Sequence, residues 1–190
     1  MRHYLINRSA VAYNGTMREW LAQYKFRGNE AYSALLARMM GVATKSMLSE
    51  LEERTQDNHF HFDAIVPVPI SEERMMERGF NQTRTLAYGA ATLSRTKVFE
   101  ILHRPLHTEK QSFMSRRDRL QNLSGVYQPV TDASEQLTSI SQRNAPIRIL
   151  LIDDVYTTGS TINTCARVIH QVCKPLGIES EVYSLTWARS

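Results

Sequence analysis

The sequence predicts an α/β fold: a central, mainly parallel sheet flanked by helices, with a small, mainly helical segment ahead of it. Three observations carry that. The run Ile149-Leu150-Leu151-Ile152 is aliphatic without alternation, as suits a strand buried on both faces in a parallel sheet. Asp153-Asp154 marks the carboxyl end of that strand, and the small residues Thr157, Thr158, Gly159, Ser160 and Thr161 lead into Ile162, Cys165, Ala166, Ile169, Val172 and Cys173 at helical spacing. Upstream, from Phe62 onward, strand-like and helix-like stretches alternate.

Composition bounds the rest. With 190 residues, 42% hydrophobic and 22% charged, the chain has material for one good core and a small accessory segment. Residues 1–61 are expected as an N-terminal hood or accessory segment and residues 62–190 as the core. No apolar run approaches the roughly 20 residues of a membrane helix. The start, Met1 to Arg8, lacks the apolar stretch of a secretion signal. No membrane insertion and a cytoplasmic location are therefore expected. A net charge of +4 permits nucleic-acid binding without arguing for it. The two cysteines, Cys165 and Cys173, read as small core residues, because their spacing on one helix matches no common zinc or disulfide pattern.

Taken in order, Leu5 to Tyr13 alternates as a strand, and Asn14-Gly15 turns the chain. Thr16 is placed to cap a helix whose Met17, Trp20, Leu21 and Tyr24 form one stripe. Arg27-Gly28-Asn29 ends it. A second helix from about Glu30 carries Leu35, Leu36, Met39, Met40, Val42, Ala43, Met47, Leu48 and Leu51, a methionine-rich stripe that reads as plastic core. Thr55 to His61 is a polar loop whose His59 and His61 read as solvated, with no metal assigned. Phe62 to Pro69 is a short strand running into a turn stiffened by Pro67 and Pro69, which also lack N–H donors. Asn81 is placed to cap a helix packed by Leu86, Ala87, Ala90 and Leu93, and Lys97 to Leu102 is a second strand.

The most basic stretch follows, with Arg104, Lys110, Arg116, Arg117 and Arg119. Together they suit an anion-gripping loop, because guanidinium forks match phosphate oxygens, although a solvated surface loop has a similar composition. Ser115 and Asp118 suggest a capped helix to about Leu123, and Gly125 to Gln128 a short strand. Pro129 to Pro146 is a polar excursion with a helical turn near Glu135 to Ile140, and Glu179 to Trp187 is the closing strand.

The chemistry concentrates at the end of the Ile149 strand. A loop on a helix N-terminus faces free N–H groups and the positive end of the dipole toward an anion, hydroxyls add donors, and Gly159 lets the backbone come close. Two carboxylates at the same edge repel an anion, so they make sense when accepting hydrogen bonds from sugar hydroxyls or holding a divalent cation. Phosphate on one side and a diol on the other describe a ribose 5-phosphate. No Lys follows Gly159, so this is not a P-loop.

An aliphatic strand, two acids and a Thr/Gly/Ser loop resemble the phosphoribosyl diphosphate signature of type I phosphoribosyltransferases. The resemblance implies that Asp153 and Asp154 bind the ribose hydroxyls and Mg²⁺, and that Tyr156, Thr157, Thr158, Gly159, Ser160 and Thr161 cradle the 5-phosphate. Val66-Pro67-Val68-Pro69, Glu77-Arg78-Gly79-Phe80-Asn81-Gln82, Gln111-Ser112, Ser115-Arg116-Arg117, Arg119 to Asn122 and Tyr24-Lys25-Phe26-Arg27-Gly28 extend the likeness. This ordered set resembles the ComF/GntX family of phosphoribosyltransferase-like competence proteins. Members commonly begin with a four-cysteine zinc module, and no cysteine precedes Cys165 here.

What the family implies is a type I phosphoribosyltransferase core binding phosphoribosyl diphosphate or a related ligand with Mg²⁺, and a role in handling single-stranded DNA during natural transformation beside a competence helicase. With Pro67 and Pro69 unable to donate, the pyrophosphate end falls to Arg78, Lys110, Arg116 and Arg117. Two functions stay open: a phosphoribosyl-binding protein of DNA uptake, and a transferase acting on a nucleobase or amine.

Overall fold

The computed structural model describes residues 1–27, 30–105, 125–142 and 145–190. Its main sheet has the strands β1 (Asn7–Ala12), β2 (Ala64–Pro67), β5 (Ile147–Tyr156) and β6 (Ser180–Arg189), in the order β1-β6-β5-β2. All three pairings are parallel. The α/β class with helices on both faces is thus observed, and the architecture is consistent with a phosphoribosyltransferase-like fold.

The unbroken aliphatic run is explained by what covers each face. Ile147, Ile149 and Leu151 share one face with Ala64, Val66 and Val182, beneath Ile162, Cys165, Ala166, Ile169 and Cys173 of α6 (Ser160–Cys173). Leu150 and Ile152 share the other with Ile65, Tyr183, Leu185 and Trp187. That second face lies beneath α1 (Gly15–Arg27), α2 (Glu30–Thr55) and α4 (Gln82–Ser94). Both cysteines are free and buried on α6, and Met40 and Met47 are core. Residues 1–61 supply the edge strand β1 and the helices α1 and α2, so they share the core of the sheet. Polar side chains bridge β1 to β6: Ser184 Oγ donates to Asn7 Oδ1 (2.7 Å), and the Ser9 and Thr186 hydroxyls meet at 2.7 Å.

Several local expectations shift. Asn14, not Thr16, caps α1, since Met17 N–H donates to Asn14 Oδ1 (2.9 Å). Asn81 caps α4 as expected, accepting from Thr83 N–H at 3.2 Å. The stretch 97–102 is not one strand. Ile65 N–H donates to Lys97 O (3.0 Å) and Phe99 N–H to Ile65 O (2.9 Å), a single parallel bridge at Val98 on the free side of β2. The next donor on that side of β2 is Pro67, which has no N–H, so the pairing stops there. The chain then sends Ile101 and Leu102 into the core, and β3 (Leu102–His103) pairs antiparallel with β4 (Gln128–Pro129). Helix α3 (Glu72–Arg78), unforeseen, buries no residue; Ser71 caps it and Gly79 ends it at φ 72°. Helix α5 (Ala133–Ile140) exceeds the single turn expected. His59 and His61 are exposed on the loop 56–63. Among the described residues no helix is long and apolar enough to cross a membrane.

Candidate functional site

Sheet topology places the site. From β2 the chain passes through α4 to Val98 on one side; from β5 it passes through α6 to β6 on the other. The two connections diverge between β2 and β5, and in open α/β sheets ligands bind at the carboxyl ends of the strands at such a reversal. Strand β2 ends at Pro67 opposite Ile152, and Val68 N–H makes a last bond to Ile152 O (2.9 Å). Strand β5 keeps β6 beside it as far as Tyr156 against Arg189. Past Ile152 its β2 side is therefore open, and Asp153 and Asp154 stand half-buried at that opening.

Strand alternation turns the two acids to opposite faces. Asp154 follows Leu150 and Ile152 toward α4, where Gln82 Nε2 donates to its Oδ2 at 3.3 Å. Helix α4 is docked for this, because the buried Thr83 hydroxyl donates to Val68 O (2.5 Å), the carbonyl left at the end of β2. Tyr24 of α1 lies beneath, its hydroxyl donating to Gln82 O (2.7 Å). Burial pushes that phenol up to about 12, with the Asp154 carboxylate adding a smaller push the same way. Asp153 follows Ile149 and Leu151 toward α6. Its neighbours there are Tyr127, raised to about 12 first by burial, and Cys165, whose thiol is pushed well up first by burial and then by Asp153. The Arg104 guanidinium lies 5.7 Å from the Tyr127 ring and opposes both shifts.

The loop after the acids is shaped by one glycine. Gly159 has φ 76°, and a Cβ built on it meets the hydroxyls of Tyr156 and Tyr4, each at 2.6 Å. Those hydroxyls lie 2.8 Å apart. Asn163 N–H bonds Gly159 O (2.9 Å), and Thr158 Oγ1 accepts a long bond from Ser160 N–H (3.4 Å) while donating to Ser160 Oγ (3.0 Å). Thr157, Thr158 and Ser160 are exposed. The first N–H groups of α6, which have no partner within a helix, and these hydroxyls stand together beside the acids, a set of donors of the kind that suits an anion. Arg78 occupies the last turn of α3, on the segment that leaves β2 at the crevice. Lys110, Arg116 and Arg117, and the helix expected over 115–123, lie outside the described residues.

Sequence patterns missed Gln82, Tyr24, Tyr127 and Tyr4 as neighbours of the site. Gln82 and Tyr24 each stood in a family motif without a role at the site; for Tyr127 and Tyr4, which arrive from distant parts of the chain, no local signal existed.

No protein-family model matches the chain. The chain is 33% identical to Competence protein ComFC of Bacillus subtilis over 175 residues, 92% of this chain and 62% of that protein. To Competence protein F of Haemophilus influenzae it is 29% identical over 171 residues, 88% of this chain and 66% of the relative. These likenesses support the ComF family for the chain. DNA utilization protein YhgH of Escherichia coli is 26% identical to the chain over 151 residues, 77% of the chain and 58% of the relative. The chain thus spans less than two thirds of the length of these relatives.

Proposed function

We propose that this chain binds phosphoribosyl diphosphate or a related phosphoribosyl ligand together with Mg²⁺, and that it does so in handling single-stranded DNA during uptake, beside a competence helicase. One observation carries the ligand: an acidic pair and a hydroxyl-rich helix N-terminus meet where β2 falls away from β5, the position at which a phosphorylated sugar can be gripped at both ends. The loop 156–161 receives the 5-phosphate on backbone N–H and hydroxyl groups. Asp154, oriented by Gln82, and Asp153 accept hydrogen bonds from the ribose hydroxyls. Arg78, in the last turn of α3, serves the pyrophosphate end in this reading. The relatives' names, competence and DNA utilization, support the DNA role.

Among the described residues no group of three or more His, Cys, Asp or Glu is built as a metal cage. Two carboxylates on a rim suit Mg²⁺ all the same, which takes one or two carboxylates and completes its shell with substrate phosphates and water. Bound there, Mg²⁺ would neutralise phosphate charge.

The test is calorimetric titration of phosphoribosyl diphosphate with Mg²⁺ into the wild type and Asp153→Asn/Asp154→Asn, following pyrophosphate in the same samples. Each lost charged contact is worth about 1.5–3 kcal/mol, so binding should weaken at least tenfold. Equal binding by both proteins, or none by the wild type, would overturn the proposal. Pyrophosphate release that rises with an added base or amine would replace the binding role by that of a transferase.

A further inference from the structure

We propose that residues 1–5 form a strap across the phosphate loop, and that Arg2 on this strap is the cation of the phosphate subsite, selecting a phosphomonoester over a neutral sugar. This rests on the phosphoribosyl reading and deepens it by assigning the charge that the loop itself lacks.

Residues Tyr156 to Thr161 include no Lys, Arg or His, and Asp153 and Asp154 stand next to them. A phosphomonoester brings a charge of about −1.5 to −2. Backbone N–H groups and a helix dipole offer only partial charges against it. A full positive charge therefore has to come from another part of the chain, and the strap brings one.

The strap is tied down on both sides of Tyr4. Leu5 N–H donates to Val182 O (2.8 Å) and His3 N–H to Asn163 Oδ1 (2.7 Å). His170 Nε2 lies 2.8 Å from His3 O, and Asn163 Nδ2 donates to Met1 O at 3.3 Å. Three of these four bonds are to α6, whose N-terminus is the phosphate cradle. Tyr4 between them is 7% exposed, and its hydroxyl meets the Tyr156 hydroxyl over the bare Cα of Gly159.

Arg2 then lies with its guanidinium carbon 4.1 Å from the Tyr4 ring centroid. Stacking on the ring restrains the side chain beforehand, so less freedom is lost when it grips an anion. Arg2, Tyr4, Thr158, Ser160 and Asn163 line a cleft of about 330 Å³. Arg2 is the one basic side chain among the described residues lining it, and no carboxylate lines it. A guanidinium, two kinds of hydroxyl and an amide around a helix N-terminus make a lining for phosphate oxygens.

Ribose 5-phosphate and pyrophosphate, each titrated calorimetrically, are the probes, with Arg2→Gln, Arg2→Lys and Asp153→Asn/Asp154→Asn as variants. Arg2 is exposed, so an unchanged melting temperature is the check that Arg2→Gln folds. Loss of one charge-assisted contact should weaken ribose 5-phosphate binding about tenfold or more, with the charge-retaining Lys variant recovering part of it. Pyrophosphate, bound at the opposite end, should be unaffected. If Arg2→Gln binds ribose 5-phosphate like the wild type while the double Asn variant loses it, the strap is refuted and the phosphoribosyl reading stands. An equal fall for both probes would reduce Arg2 to diffuse charge and refute the strap as well. If the wild type binds no ribose 5-phosphate, both ideas fall together.

Discussion

Gly159→Ala tests the loop most sharply, because its cost can be worked from the coordinates. The backbone there has φ 76°, and an L side chain in the left-handed region costs about 1–2 kcal/mol. The new Cβ would also lie 2.6 Å from two hydroxyl oxygens, so Tyr4 and Tyr156 must part. Their 2.8 Å hydrogen bond is then lost, a further 0.5–1.5 kcal/mol or about that. The sum is about 1.5–3.5 kcal/mol, and at this chain length each kcal/mol lowers the melting temperature by about 2–4 °C. Thermal unfolding followed by circular dichroism should therefore show a fall of about 3–14 °C. Ligand binding should suffer more than stability, since the displaced tyrosines reshape the cradle. In a Tyr4→Phe/Tyr156→Phe background both hydroxyl contacts are gone, although Tyr156 Cζ remains 2.9 Å from the new methyl. Gly159→Ala should cost about 1 kcal/mol less there than in the wild type. Equal costs in the two backgrounds, or an unchanged melting temperature, would refute the account of the loop.

Two further predictions concern the scaffold. A Cβ on Gly89 of α4 would stand 2.2 Å from Ala37 O of α2, so Gly89→Ala must push the helices apart; the expected loss is about 1–3 kcal/mol, read as a lowered melting temperature, and wild-type melting would contradict the close helix contact. The Glu50 carboxyl is held below its ordinary range chiefly by its hydrogen bond from Arg8, with burial opposing and Arg54 assisting. Its folded pKa is depressed, so its contribution is complete above the unfolded value of about 4.3 and is lost as pH falls through the folded one. Both side chains are a third or more exposed, which caps that contribution at about 1 kcal/mol. The stability difference between wild type and Glu50→Gln should accordingly be present at neutral pH and vanish in strong acid; a difference that survives acid would show that packing, not charge, sets it.

Much of the site was legible because its determinants are local. Four aliphatic residues, two acids and a run of small hydroxylic residues before an apolar helical stripe specify a strand, its end and a hydroxyl-rich helix start, all within one stretch of chain. Asn81 and the Met40 and Met47 stripe were legible for the same reason: capping and periodicity act over a few residues. Helix α3 carried a readable signal too, a Ser71 cap with Glu72 and Glu73 behind it and Gly79 at its end, but too few residues for an apolar period.

The sequence by itself thus determined the fold class, the strand that ends in two acids, and the loop chemistry beside them. Tertiary structure alone decided what surrounds those acids. Alternation along β5 sends Asp154 to Gln82 and Tyr24 and Asp153 to Tyr127 and Cys165, partners drawn from three helices and the residue ahead of β4, whose meeting depends on strand order. It also decided where the sheet opens: Pro67 withholds the donor that would extend the pairing toward Phe99, and β2 stops two residues short of Asp154. Tyr4 reaches Tyr156 across 152 residues of chain, over a Gly159 that has room for neither hydroxyl and a Cβ together. Contacts of that sequence separation leave no periodic trace in the residues between, because they are set by packing rather than by backbone propensity.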